Sequence, residues 1–115
     1  MTEEEREDAR AAFDKAVNMT PAELERWLDS DDSKRVGWKG EDGKGNDESV
    51  GHRSGKRIIE IKRSRKADLD DADYAHMKKV SGYVARHSAQ RPSGDVSETN
   101  WRYSLMNWGH DPLKG

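Results

Sequence analysis

The chain has no cysteine. Disulfides and thiolate metal sites are therefore excluded, and the composition suits a reducing compartment such as the cytoplasm. Apolar material is scarce: 31% of residues are hydrophobic, there is a single phenylalanine, and the mean hydropathy is -1.21. No apolar run is long enough to cross a bilayer as a helix. The opening MTEEERED is acidic and lacks the hydrophobic stretch of a secretory signal. These shortages lean toward disorder. Four tryptophans and three tyrosines oppose it, because disordered chains lack large aromatic anchors. At 115 residues the expectation is one domain with a small core and long solvated segments.

What the chain does hold is charge, 38% of all residues, sorted along its length. Residues 1–32 carry eleven acids and four bases, residues 33–66 five acids and eleven bases, and residues 67–115 seven acids and six bases. Such segregation predicts an anionic partner for the middle of the chain. The competing account is that charged helices simply keep a small domain in solution. The densest basic stretch is residues 50–66, VGHRSGKRIIEIKRSRK, with seven Lys or Arg against the single acid Glu60. Ile58, Ile59 and Ile61 give the same stretch a core anchor. Alternation of Ile59 and Ile61 permits a short strand. The three-residue spacing of Ile58 and Ile61, among good helix formers, favours a helix over residues 54–66 capped by Ser54.

Ahead of this stretch, residues 2–18 read as an amphipathic helix with Thr2 as cap and Glu3, Glu4 and Glu5 in the first turn, where the helix dipole favours acids. Its stripe is mostly alanine, so weak docking is expected. Thr20-Pro21-Ala22-Glu23 is a capping box with proline at the first helical position. The helix it starts buries Leu24, Trp27 and Leu28 and should stop in the polar run of residues 29–32. Residues 37–50 form a glycine-rich loop, with Trp38 as its anchor to the core. Beyond the basic stretch, Asp70 or Asp71 caps a helix running to about Ser88 with Tyr74, Met77, Val80 and Val84 buried. Ala75, Lys79, Gly82 and Arg86 fall together on its opposite face, where small residues flanked by cations allow a phosphate chain, or a second copy of the chain, to come close. Ser97 should cap a last helix with Trp101, Leu105 and Trp108 on one face, ended by Gly109.

Catalytic and metal signatures are missing. None of His52, His76, His87 and His110 is paired at the i, i+4 spacing of a helical zinc site. The acids Asp68, Asp70, Asp71 and Asp73 are better explained by helix capping. No GxSxG, phosphate-loop or calcium-loop pattern occurs.

Three segments carry a resemblance: MTPAELERWL at residues 19–28, SVGHRSGKRI at residues 49–58 and WRYSLMNWGHDPLK at residues 101–114. With DDADYAHMKKVSGYVARHSAQRP at residues 70–92, these are similar to the DUF3140 family, some of whose members are labelled DNA-binding. The resemblance covers about four-fifths of the chain, begins at Met19, and brings no binding residues with it.

The resulting expectation is an all-α fold: four or five short helices and a long glycine-rich loop, with residues 54–66 and 71–88 able to form a helix–turn–helix-like pair. Residues 1–18 are an acidic helix or arm, which by folding back would screen the basic middle, and residues 19–115 a single helical domain. The expected function is non-enzymatic DNA binding with no cofactor. Phosphate contacts would come from Lys56, Arg57, Arg63, Lys79 and Arg86, and secondarily from Lys62, Arg65 and Lys66. Asn and Gln are absent from both helices, so little base specificity is expected. A protein-interaction or homodimerisation module is the alternative, and neither a membrane nor a small-molecule substrate is expected.

Overall fold

The computed structural model describes residues 1–36 and 50–114. The glycine-rich loop, Val50 apart, and the anchoring role of Trp38 lie outside the described residues. Among the described residues six α-helices and one 3-10 turn follow in order: α1 Glu3–Ala16, α2 Pro21–Leu28, α3 Asp31–Arg35, α4 Val50–Arg63, the turn Lys66–Asp68, α5 Asp71–Ser88 and α6 Asn100–Asn107. The fold is all-α, with one helix more than expected. The additional one, α3, forms in the polar run where α2 was expected simply to stop. Ser30 there accepts the Ser33 N–H and nucleates a new turn.

Local capping sets most helix starts. Thr2 accepts the Glu5 N–H, and Thr20 and Glu23 make a reciprocal capping box, as do Asp70 and Asp73. Thr99, not Ser97, caps α6. The largest revision concerns α4. It begins at Val50 and ends at Arg63, so Ser54 is not a cap but a buried interior residue.

Tight packing explains the early start of α4. Gly51 and Gly55 lie one turn apart and face the end of α6. A Cβ at Gly51 would sit 2.9 Å from Nε1 of Trp108, and one at Gly55 would sit 2.6 Å from the Asn107 carbonyl oxygen. The bare glycine face lets α4 lie directly on that corner. His52, on the same turn, donates from Nε2 to the Leu28 carbonyl at the end of α2, at 2.8 Å.

The core draws on every helix except the short α3, with Phe13, Leu24, Ile58, Met77, Val80 and Leu105 at its centre. Trp27 and Trp101 are only partly buried at its edge. Weak docking of α1 is not observed. This helix packs chiefly on α5, and Phe13 is 1% exposed. Burying one such ring stabilises by about 1.5–3 kcal/mol, which compensates for the alanines around it. Ala9, Phe13 and Val17 thus belong to the same core as the later helices.

The C-terminal segment locks the N-terminal one in place. His110 donates from Nδ1 to the Ala16 carbonyl at 2.7 Å, capping the end of α1. Asn18 and Asp111 exchange two hydrogen bonds, and Arg102 holds Asp111 through two parallel contacts of 3.1 Å. Gly109, at φ 77°, makes the turn between them, and a side chain there would strike Val17.

Candidate nucleic-acid interface

The cations of α4 do not share one face. Arg63 pairs with Glu25 of α2 at 2.8 Å. Lys62 points the other way, toward α1, with Asp14 3.8 Å away and the Phe13 ring beneath its ammonium. Arg65 pairs locally with Asp68, and Lys66 stands near the start of α1, beside Glu3 and Arg6. Arg63 therefore faces α2, while Lys79 and Arg86 stand on α5 beside the first residues of α4. These pairs are surface pairs of modest strength, but they place opposite charges where a phosphate would have to enter.

A second group of cations does converge, on the seam between α4 and α5. The helices run alongside each other so that Ser54 meets His76, with Oγ and Nε2 at 3.0 Å, and Arg57 meets Asp73 at 3.1 Å. The pKa of His76 is lowered, first by burial and then by the charges of Arg57 and Lys79. Both cations therefore act on the same imidazole from different helices. Farther along the seam, Lys79 and Arg86 stand at a cleft completed by the first residues of α4 and the end of α6. Both are exposed, and among the described residues neither takes part in an ion pair. Lys56 is exposed on α4 and does have a partner.

Arg53 belongs to this group although the sequence reading passed over it. It is exposed and precedes Arg57 by four residues on α4, which puts the two on adjacent turns of one face. The signal was present as i, i+4 spacing. It was hidden because the helix was expected to begin after Arg53. The first turn of α4 itself has no acidic residue.

Behind the cations runs a ladder of rings. Trp108 and Tyr83 stack with centroids 4.3 Å apart, Tyr83 and His87 follow at 5.1 Å, and His87 and Trp101 at 6.3 Å. Arg91 caps the far end, over Trp101. Gly82, between Lys79 and Arg86, also borders a groove whose other wall is α1, with Ala9 and Ala12 opposite. A Cβ at Gly82 would meet only the end of the Arg86 side chain, so helix packing does not require glycine there.

The histidines have structural partners in the Leu28 carbonyl, Ser54, the ring ladder and the Ala16 carbonyl. Among the described residues no cluster of His, Asp or Glu is arranged to hold a metal, and no helix is long and apolar enough to cross a membrane.

The chain belongs to the DUF3140 family, described as a protein of unknown function, whose sequence profile matches residues 12–106. The match starts within α1, earlier than Met19, in keeping with the burial of Phe13 and Val17 in the common core. No curated protein and no solved structure matches the chain.

Proposed function

We propose that this is a non-enzymatic DNA-binding protein that grips phosphates along the α4–α5 seam, with Arg53, Lys79 and Arg86 as its contacts. The observation that carries this reading is the pair Lys79 and Arg86, which stand exposed beside the positive end of α4 with no acid bound to either among the described residues. Arg and Lys in that setting position a phosphate chain without reading its sequence. In this reading α4, the Lys66–Asp68 turn and α5 work as a helix–turn–helix-like pair lying against the backbone. A DNA partner and the absence of cysteine both suit the cytoplasm.

The reading has a quantitative consequence. Three phosphate contacts give a slope of roughly -3 in log affinity against log salt, whereas all eight cations that the sequence marks would give roughly -7. Anisotropy of a short labelled duplex, titrated between about 50 and 200 mM salt, separates the two. Lys79→Glu with Arg86→Glu should weaken binding at least about tenfold, while Arg65→Glu, beyond the far end of α4, should stay within about twofold. No binding at the lower salt, or binding insensitive to salt, refutes the proposal.

A further inference from the structure

α1 and α5 lie side by side and run in the same direction. Arg6 meets Asp71 and Tyr74 near the start of both helices, and Ala12 lies beside Ser81 and Gly82 farther along. Between the helices is an open groove, with Glu5 and Asp8 on the α1 wall and Lys78 on the α5 wall. All three are exposed, and among the described residues none takes part in an ion pair. Opposite charges thus face one another across the groove, too far apart to pair within one chain. The floor between them is bare. Glycine inside a helix is destabilising, and a side chain at Gly82 would meet only the flexible tip of Arg86. Packing within the chain gives no reason for this glycine, whereas close approach of a second backbone does.

We propose that this groove is the seam of a homodimer, in which α1 of each copy lies on α5 of the other and Glu5 and Asp8 pair with the partner's Lys78. The charges of the walls select this occupant. A nucleic acid would be repelled by the α1 wall, and a ligand of either single sign by one wall or the other. A twofold axis running along the groove turns the second copy over while keeping each residue at its own level. The acidic wall of each copy then meets the basic wall of the other, on both sides of the axis. Ala12, Ser81 and Gly82 allow the two layers to approach closely, and the exposed Arg86 tip swings aside at the rim. A face two helices wide and as long as α1, about 20 Å, is small for an interface, so the dimer is expected to be weak. The seam does not depend on the phosphate-binding reading, because Glu5, Asp8 and Lys78 are not among the contacts assigned there.

Sedimentation equilibrium of the full chain without DNA, over roughly 5–500 μM, should show monomer and dimer in exchange. Lys78→Glu sets acids against acids at both contacts, and Glu5→Lys with Asp8→Lys sets bases against bases. Each variant alone should weaken self-association about tenfold or more. Mixed in equal amounts, the two should associate again as a heterodimer, since the native walls of one contact and the reversed walls of the other are then both complementary. Misfolding cannot produce that recovery, and circular dichroism checks each variant beforehand. A wild type that stays monomeric at the highest concentration overturns the proposal. A dimer that both variants leave intact assigns self-association to another face and overturns it as well, as does a mixture of folded variants that fails to associate. Because no DNA is present, none of these results bears on the phosphate-binding reading, whose own titration decides it separately.

Discussion

Replacing Asn107 should cost this protein a large share of its stability, by an amount that can be worked out from the geometry. Asn107 is fully buried, and its Oδ1 accepts the Trp27 indole N–H at 2.7 Å and the Ser33 hydroxyl. Its Nδ2 donates to the Ser33 carbonyl at 3.2 Å. One side chain thus ties α2, α3 and α6 together. In Asn107→Leu the branched shape is kept, the side chain is larger, and all three bonds are lost. Ser33 is itself 0% exposed, so its hydroxyl and carbonyl bear a full penalty of about 1–3 kcal/mol each. Trp27 is only partly buried and recovers some hydration, so its loss is about 1 kcal/mol. The expected total is about 4 kcal/mol, against a whole-domain stability of roughly 6–17 kcal/mol for this length. Asn107→Asp separates shape from charge, since it keeps the acceptor and turns the donor into an oxygen facing the Ser33 carbonyl. Burial raises the folded pKa of such a carboxyl above its unfolded value. Its deficit relative to wild type is therefore smallest below about pH 4 and grows as the pH rises through the folded pKa. Urea unfolding gives each free energy, and a double-mutant cycle with Trp27→Phe should show coupling of about 1 kcal/mol or more. An Asn107→Leu protein within about 1 kcal/mol of wild type, or an Asn107→Asp deficit that does not change with pH, would refute this account.

Gly55→Ala and Gly82→Ala should move the melting temperature in opposite directions. The first meets backbone at 2.6 Å and loses about 2 kcal/mol, while the second meets only the flexible Arg86 tip and gains about 0.5–1 kcal/mol of helix propensity. Glu23 should titrate at about 2, held down first by the Lys114 hydrogen bond and then by the capping contacts with Thr20. Its depressed folded pKa means that its stabilising effect is present above the unfolded value and lost as the pH falls toward about 2; in Lys114→Met, NMR titration should find the midpoint higher. His76 and His87 both have lowered pKa values, chiefly from burial, and Nε2 of His87 is buried without a partner. Protonation then favours the unfolded chain, so stability should fall as the pH drops from about 7.5 to about 5.5, before the carboxylates titrate. The fall should shrink in His87→Phe, as read from thermal melts, and an unchanged fall assigns it elsewhere.

What could be read in the sequence was what is decided within a few residues. Thr2, Thr20 with Glu23, and Asp70 with Asp73 cap helices three positions away, and α5 spans the residues its periodicity marks. The start of α4 was not legible. Gly51 and His52 are poor helix formers and Ser54 offers a plausible cap, so local propensity argues for a later start. What overrides it is Asn107 and Trp108, half the chain away, which fit only a bare helix face. Asn107 itself carried no local signal. A polar residue becomes a core residue only when distant partners such as Trp27 and Ser33 satisfy it.

The candidate site follows the same rule, with charge in place of packing. Along the sequence, an acidic front precedes a basic middle, and the natural inference is a broad cationic surface. Folding sets the two against each other. Asp14 goes to Lys62, Glu25 to Arg63 and Asp73 to Arg57, and α1 lies along α5. Much of the segregated charge is thus consumed in holding helices together, which the acids' distance in sequence conceals. The cations left for a ligand are those whose neighbours are glycine, serine and aromatic rings. Lys79 and Arg86 meet that condition because Gly82 lies between them and Tyr83 and Trp108 line the cleft they border. In the proposed reading, affinity for a polyanion is set by how few acids reach α5 on that side, and not by how many bases α4 contains.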